Sequence, residues 1–95
     1  MSQRFNSVAL KQSVVSLTAA TDAPLVAANP LRKYLALQNI GAGDATLAFD
    51  VAAVAGQGFL LAAGATLTFE STGMPINSIH AISTPGSTVV VVEGV

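Results

Sequence analysis

Along most of the chain, apolar and polar side chains alternate with a period of two in short runs, and the runs are separated by Gly, Pro, Asn and Asp. This is the signature of half-buried strands joined by turns. The run Leu31–Ile40 is the clearest, with Leu35 and Leu37 on one face and Tyr34, Ala36 and Gln38 on the other. Residues 45–51 alternate again, setting Leu47, Phe49 and Val51 inward and Thr46, Ala48 and Asp50 outward. Further strands are predicted at 13–19, near 25–28, at 59–62, 66–69, 77–83 and 88–93. The valine run 89–92 has no alternation and suggests a strand with apolar side chains on both faces. The turn signals are Asp22 with Pro24, Asn29-Pro30, the Gly-Ala-Gly-Asp stretch 41–44, Ala63-Gly64 and Pro85-Gly86. The 41–44 stretch is expected to close a hairpin, its glycines free to take positive φ.

About eight short strands with turn signals every 8–12 residues predict an antiparallel β-sandwich or jelly roll. The expected core is Leu35, Leu37, Leu47, Phe49, Leu67, Phe69, Ile79 and Val90. Residues 1–12 lack the alternation and are expected to form an N-terminal arm, leaving 13–95 as one β domain. The arm carries Arg4 and Lys11, two of the four basic residues, together with Phe5, Val8 and Leu10. These five residues are the expected partner-binding set, docking by strand addition or into a groove. The competing reading of the arm is a loose tail.

Composition sharpens this picture. The chain has 95 residues, room for one domain, and much of its 52% hydrophobic content is alanine. There is no cysteine, so neither a disulfide nor a thiolate metal site supports the fold. Only 9% of residues are charged and the net charge is −1, against roughly a quarter charged in an average soluble domain. A surface so poor in charge is expected to be partly covered, which points to homo-oligomerisation as a dimer or trimer. Nucleic-acid binding is not expected, since Arg32-Lys33 is the only adjacent basic pair. The apolar stretch from Val51 to Leu67 contains Gly56, Gly58 and Gly64 and is shorter than the ~20 residues of a membrane span. No apolar segment of the secretion-signal kind follows Arg4 and Lys11.

Candidate chemistry is sparse. His80 is the only histidine, which excludes a multi-histidine metal site within one chain. It could pair with Asp22, Asp44 or Asp50 and a serine, but a solvent-facing or interface strand position is the expectation. Asp50 and Glu70 could form a carboxylate pair, yet both are expected on outward faces. The glycines lack the pattern of a phosphate loop, and the aspartates lack the spacing of a calcium loop. No catalytic residue, cofactor or metal is expected. Tyr34 is the one aromatic that could stack on a sugar.

The run Asn29-Pro-Leu-Arg-Lys-Tyr-Leu-Ala-Leu-Gln-Asn39 resembles the Arg-x-x-Leu-x-Leu-x-Asn strand of small tailed-phage virion proteins. Later elements follow in the same order: Phe59–Leu61, Gly64 before Leu67, Pro75 followed by Ile79-His80-Ala81-Ile82, and Gly86 leading into Val89–Glu93. The resemblance covers about residues 29–94. It implies a capsid decoration or cement protein, or a related head or tail accessory protein. The implied setting is the capsid surface of a virion assembled in the host cytoplasm, with the major capsid protein or other virion subunits as partners. No catalytic residue carries over. A receptor- or carbohydrate-binding module is the alternative, and a non-viral adhesin or pilus-like subunit a further one. The loops at 41–44, 52–58 and 71–74 consist largely of Ala, Gly, Thr and Ser, which favours the structural role, because a receptor-binding tip carries aromatic or polar side chains on its loops.

Overall fold

The computed structural model describes residues 9–70 and 73–95. Among them are eight strands: β1 (Leu10–Leu17), β2 (Ala23–Val26), β3 (Tyr34–Asn39), β4 (Ala45–Phe49), β5 (Phe59–Leu61), β6 (Thr66–Glu70), β7 (Ile79–Ile82) and β8 (Ser87–Gly94). They form two four-stranded sheets, in the orders β1-β8-β3-β6 and β2-β7-β4-β5. Every strand pair is antiparallel.

The pairing has a simple logic. β1 pairs with β8, β2 with β7, β3 with β6 and β4 with β5. The chain is thus one long hairpin, folded at the β4–β5 connection and rolled so that successive segments of the ribbon fall in alternate sheets. This is the jelly-roll arrangement. Its consequence is that, among the described residues, β4 and β5 are the only strands consecutive in the chain that are also neighbours in a sheet.

The 41–44 stretch therefore does not close a hairpin, as the sequence suggested; it carries the chain from β3 in one sheet to β4 in the other. Its glycines are needed for close approach and not for positive φ. A Cβ on Gly41 would collide with Ser87 and the backbone of Thr88, and one on Gly43 with Pro85 and the carbonyl of Gly86. The crossing is packed directly against the β7–β8 turn.

Leu17, Leu25, Leu35, Leu37, Leu47, Leu61, Ile79, Val89 and Val91 fill the space between the sheets, with Ala45 and Ala81. Phe49, Leu67 and Phe69 pack against this core half-buried. Val90 does not belong to it. Val90 pairs with Val14 and Gln38 on the outer face, while Val89 and Val91 point inward and are 0% and 1% exposed. A run of identical residues carries no alternation, so it cannot show which parity faces the core. Val51 also leaves the core: Asp50 takes a left-handed conformation (φ 66) that ends β4, and Val51 is exposed.

The first strand begins at Leu10, earlier than the expected residue 13. Leu10, Lys11 and Gln12, assigned to the arm from sequence, pair with Gly94, Glu93 and Val92 of β8. Arg4, Phe5 and Val8 lie outside the described residues. No helix of the described residues is long and apolar enough to cross a membrane.

Candidate functional site

Three polar clusters and one surface stand out among the described residues. The first sits at the start of β3. Arg32 is buried, with its side chain 0% exposed. Its Nε donates to Glu93 Oε2 at 2.7 Å. One terminal nitrogen donates to the carbonyls of Pro75 (2.6 Å) and Asn77 (3.1 Å), and the other to the carbonyl of Ala27 (2.6 Å). The guanidinium fork thus joins the loop after β2, the segment before β7 and the end of β8. Asn29 orders the approach: its Oδ1 accepts from the Leu31 amide at 3.0 Å.

The second cluster closes the other end of β3. Asn39 is fully buried, and its amide nitrogen donates to the carbonyls of Gly43 (2.8 Å) and Leu61 (2.9 Å). Its Oδ1 accepts from the Gly41 amide (3.1 Å) and the Ser87 hydroxyl (2.6 Å). The Arg-x-x-Leu-x-Leu-x-Asn run is therefore an architectural unit. Leu35 and Leu37 enter the core, and Arg32 and Asn39 fasten loops at either end. Neither polar group is free to meet a ligand.

The third cluster lies on the outer face of the β2-β7-β4-β5 sheet. His80 faces Pro24 and Ala48 in the strand register. Its Nδ1 lies 3.1 Å from both carboxylate oxygens of Asp22, which places a proton on Nδ1. Asp22 Oδ1 also accepts from the Ala53 amide at 2.7 Å. That amide holds the Asp22 carboxyl below its ordinary range, with His80 adding to the effect and partial desolvation opposing it. Of the three aspartates considered from sequence, His80 is paired with Asp22. Among the described residues no hydroxyl is hydrogen-bonded to His80. Its visible effect is to pin the β4–β5 connection: Ala53 is buried in an otherwise exposed loop.

Asp50 and Glu70 do not meet. Asp50 accepts from Asn77 Nδ2 at 2.6 Å, while Glu70 lies on β6 of the other sheet. No group of three or more His, Cys, Asp or Glu gathers among the described residues. An open depression of about 400 Å³ lies between the 41–44 crossing, Ala55-Gly56 and residues 82–85, lined by Thr46, Ile82, Thr84 and Pro85 among others. It contains no aromatic side chain to stack on a sugar. Tyr34 sits half-buried on the outer face of the opposite sheet, between Glu70 and Gly94.

What remains is surface. Leu10, Val14, Leu31, Ile40, Val51, Val54, Phe59, Leu60, Ile76 and Val95 are all large, apolar and exposed. On the outer face of the β1-β8-β3-β6 sheet, the strand register assembles Leu10, Gln12, Val14 and Ser16 with Thr88, Val90 and Val92, then Tyr34, Ala36 and Gln38, then Thr66, Thr68 and Glu70. Among the described residues Glu70 is the only charge on that face, and it stands on the edge strand β6. The low charge of the sequence led to the expectation of a covered surface; the strand register shows which face of the described residues is poorest in charge.

No known family profile matches the chain, and no curated protein matches it. One solved structure, described in the words "Bacillus endospore appendages form a novel family of disulfide-linked pili", is similar over 99% of this chain and 95% of that one, at 19% identity and a TM-score of 0.46. A likeness this loose says nothing of function, and the present chain has no cysteine with which to form such a link.

Proposed function

We propose that the chain is a non-catalytic structural subunit of a tailed-phage virion, bound to the outside of the capsid as a decoration or cement protein. The observation that carries this reading is the nearly uncharged outer face of the β1-β8-β3-β6 sheet, together with exposed Leu and Val side chains on its first strand. A free monomer has no use for such a face, whereas a protein that functions by contact does. The polar groups fit the same role. Arg32 and Asn39 are consumed in holding loops, and Asp22 with His80 holds another. A cement protein acts by mass action, binding the assembled shell and not the loose subunits. Many modest contacts then add through multivalency.

The test is electron microscopy of particles from cells that encode the chain, with the chain labelled. Density for the eight-stranded domain on the outer capsid lattice is the expected result. Particles that lack it, or that carry it solely at a tail tip, would overturn the assignment.

A further inference from the structure

The four edges of the two sheets are not equivalent. β2 is interrupted by Pro24 and a register shift between Pro24 and Val26, and β5 has 3 residues. β6 has 5 residues and carries Glu70. Pro, bulges, shortness and charge are the ordinary protections of an edge. β1 has 8 residues, no Pro, no Gly, no register shift, and Lys11 as its only charge.

The backbone groups that β1 leaves open can be identified. Ala9 and Val95 exchange both amide-to-carbonyl bonds, at 3.0 and 3.2 Å. They are thus a hydrogen-bonded pair, and antiparallel ladders alternate. Lys11, Ser13, Val15 and Leu17 therefore bond to β8. Leu10, Gln12, Val14 and Ser16 direct their N–H and C=O away from the sheet, and no backbone bond of these residues to another element completes them among the described residues.

We propose that this edge is a homodimer interface, in which β1 pairs antiparallel with β1 of a second copy across a two-fold axis at Ser13. Both strands must offer their even-numbered residues. The register centred on Ser13 sets Leu10 opposite Ser16 and Gln12 opposite Val14, in both directions, and satisfies every open group from 10 to 16. Registers shifted by two residues leave part of that set unpaired. The occupant is a second copy because the edge is complementary to itself. Lys11 faces Val15 of the other copy, so like charges do not meet, and no carboxylate on β1 offers a basic partner a counter-charge. The exposed apolar pair is covered in the same step. Val14, 56% exposed, becomes a diagonal neighbour of Val14 and of Leu10, 62% exposed, in the other copy. The two sheets then join as one continuous sheet, and their outer faces, charged only at Glu70 among the described residues, form one surface. The interface is isologous, as a closed dimer requires, and its existence does not depend on the virion reading.

Gln12→Pro is the discriminating variant. The Gln12 amide points to the open side, so proline removes no bond to β8 and is tolerated on an edge. Sedimentation equilibrium of the full chain at tens of micromolar (about the range in which weak dimers form) is expected to show a dimer. Gln12→Pro should raise the dimer dissociation constant at least about 30-fold, with circular dichroism and melting of the subunit unchanged. Should that variant fail to fold, single cysteines still decide the matter, because the chain has none of its own. Ser13 would face Ser13 across a non-hydrogen-bonded position with Cα atoms about 4.5 Å apart, within disulfide reach. Ser13→Cys should therefore oxidise readily to a covalent dimer, and Ser16→Cys, displaced along the strand, should not. A monomer or trimer in solution, an undiminished Gln12→Pro dimer, or equal cross-linking at 13 and 16 would each overturn the proposal. A dimer that fails to bind particles would count against the virion reading alone, and a monomer that binds them against the edge pairing alone.

Discussion

The clusters at the two ends of β3 and the Asp22–His80 pair use the same polar chemistry at different depths, and depth decides what each does. Arg32 and Asn39 are 4% and 0% exposed, and every polar atom of their side chains that points inward has a partner. Asp22 and His80 are about a third exposed, at 32% and 27% for their side chains. Buried polar groups are costly to leave unpaired, whereas exposed ones can turn to water. The ends of β3 are therefore places where the fold depends on single side chains. The Asp22–His80 pair adjusts one loop.

Removing Arg32 tests the deep side of this comparison most severely. Arg32→Ala leaves Glu93 without its cation and three carbonyls, those of Ala27, Pro75 and Asn77, without a donor. Breaking a buried pair by removing one partner costs about 3–5 kcal/mol, a large part of the stability of a domain this small. Denaturant unfolding is expected to show that loss. A cost below about 1 kcal/mol would mean that water already reaches the cluster.

Asn39→Ala comes next. It strands the Gly43 and Leu61 carbonyls, the Gly41 amide and the Ser87 hydroxyl. No charge is left behind, so the expected loss is smaller, about 2–4 kcal/mol. The affected atoms belong to the 41–44 crossing and the β7–β8 turn. Hydrogen exchange should therefore rise at those two connections before it rises in β1 or β6.

The shallow side is tested by acid. The Asp22 carboxyl titrates below its ordinary value in the folded chain, so its ionised form is favoured by folding. Its contribution is present at pH values above the unfolded carboxyl pKa of about 3.9. It is lost as pH falls through the lower folded value. The stability difference between the parent chain and Asp22→Asn should shrink as pH drops below about 4, with exchange at the Ala53 amide rising in step. A difference that stays constant across that window would show that Asp22 does not hold the loop through its charge.

These roles were legible in the sequence to different extents, for physical reasons. Leu35, Leu37 and Leu47 were placed correctly because they alternate with polar or small residues, and period-two contrast sets a face. Val90 was misplaced because Val89–Val92 has no contrast. The turns at 41–44 and 85–86 were located, but nothing local says whether a turn joins neighbours or crosses between sheets. In a rolled ribbon nearly all of them cross. Asn39 stands out only as part of a resemblance, and Arg32 otherwise only as half of the Arg32-Lys33 basic pair. Their partners at 75, 77, 93, 61 and 87 are distant in sequence, and no spacing rule connects them. Leu10 and Lys11 were assigned to an arm because no alternation marks an edge strand exposed on both faces.

Ser83 supplies the counter-case that sharpens the comparison, with the smallest expected effect. It is 1% exposed, as deep as Asn39, yet its hydroxyl has no hydrogen-bond partner among the described residues. Its backbone does the structural work: the carbonyl accepts from the amides of Ala20 at 2.8 Å and Gly86 at 3.1 Å. Ser83→Ala keeps both bonds and deletes an unsatisfied polar atom, which carries an uncompensated desolvation cost. Against this stands the void left by one oxygen, worth less than the loss of a methyl group. The expected result is a change between zero and about 1 kcal/mol in the stabilising direction, read from the midpoint of thermal or denaturant unfolding at unchanged slope. The contrast with Asn39→Ala is the point of the experiment, since two equally buried polar side chains should respond with opposite signs. If Ser83→Ala instead loses more than about 1 kcal/mol, the hydroxyl is bonded to a trapped water, and depth alone, without the count of partners, would suffice to rank these sites.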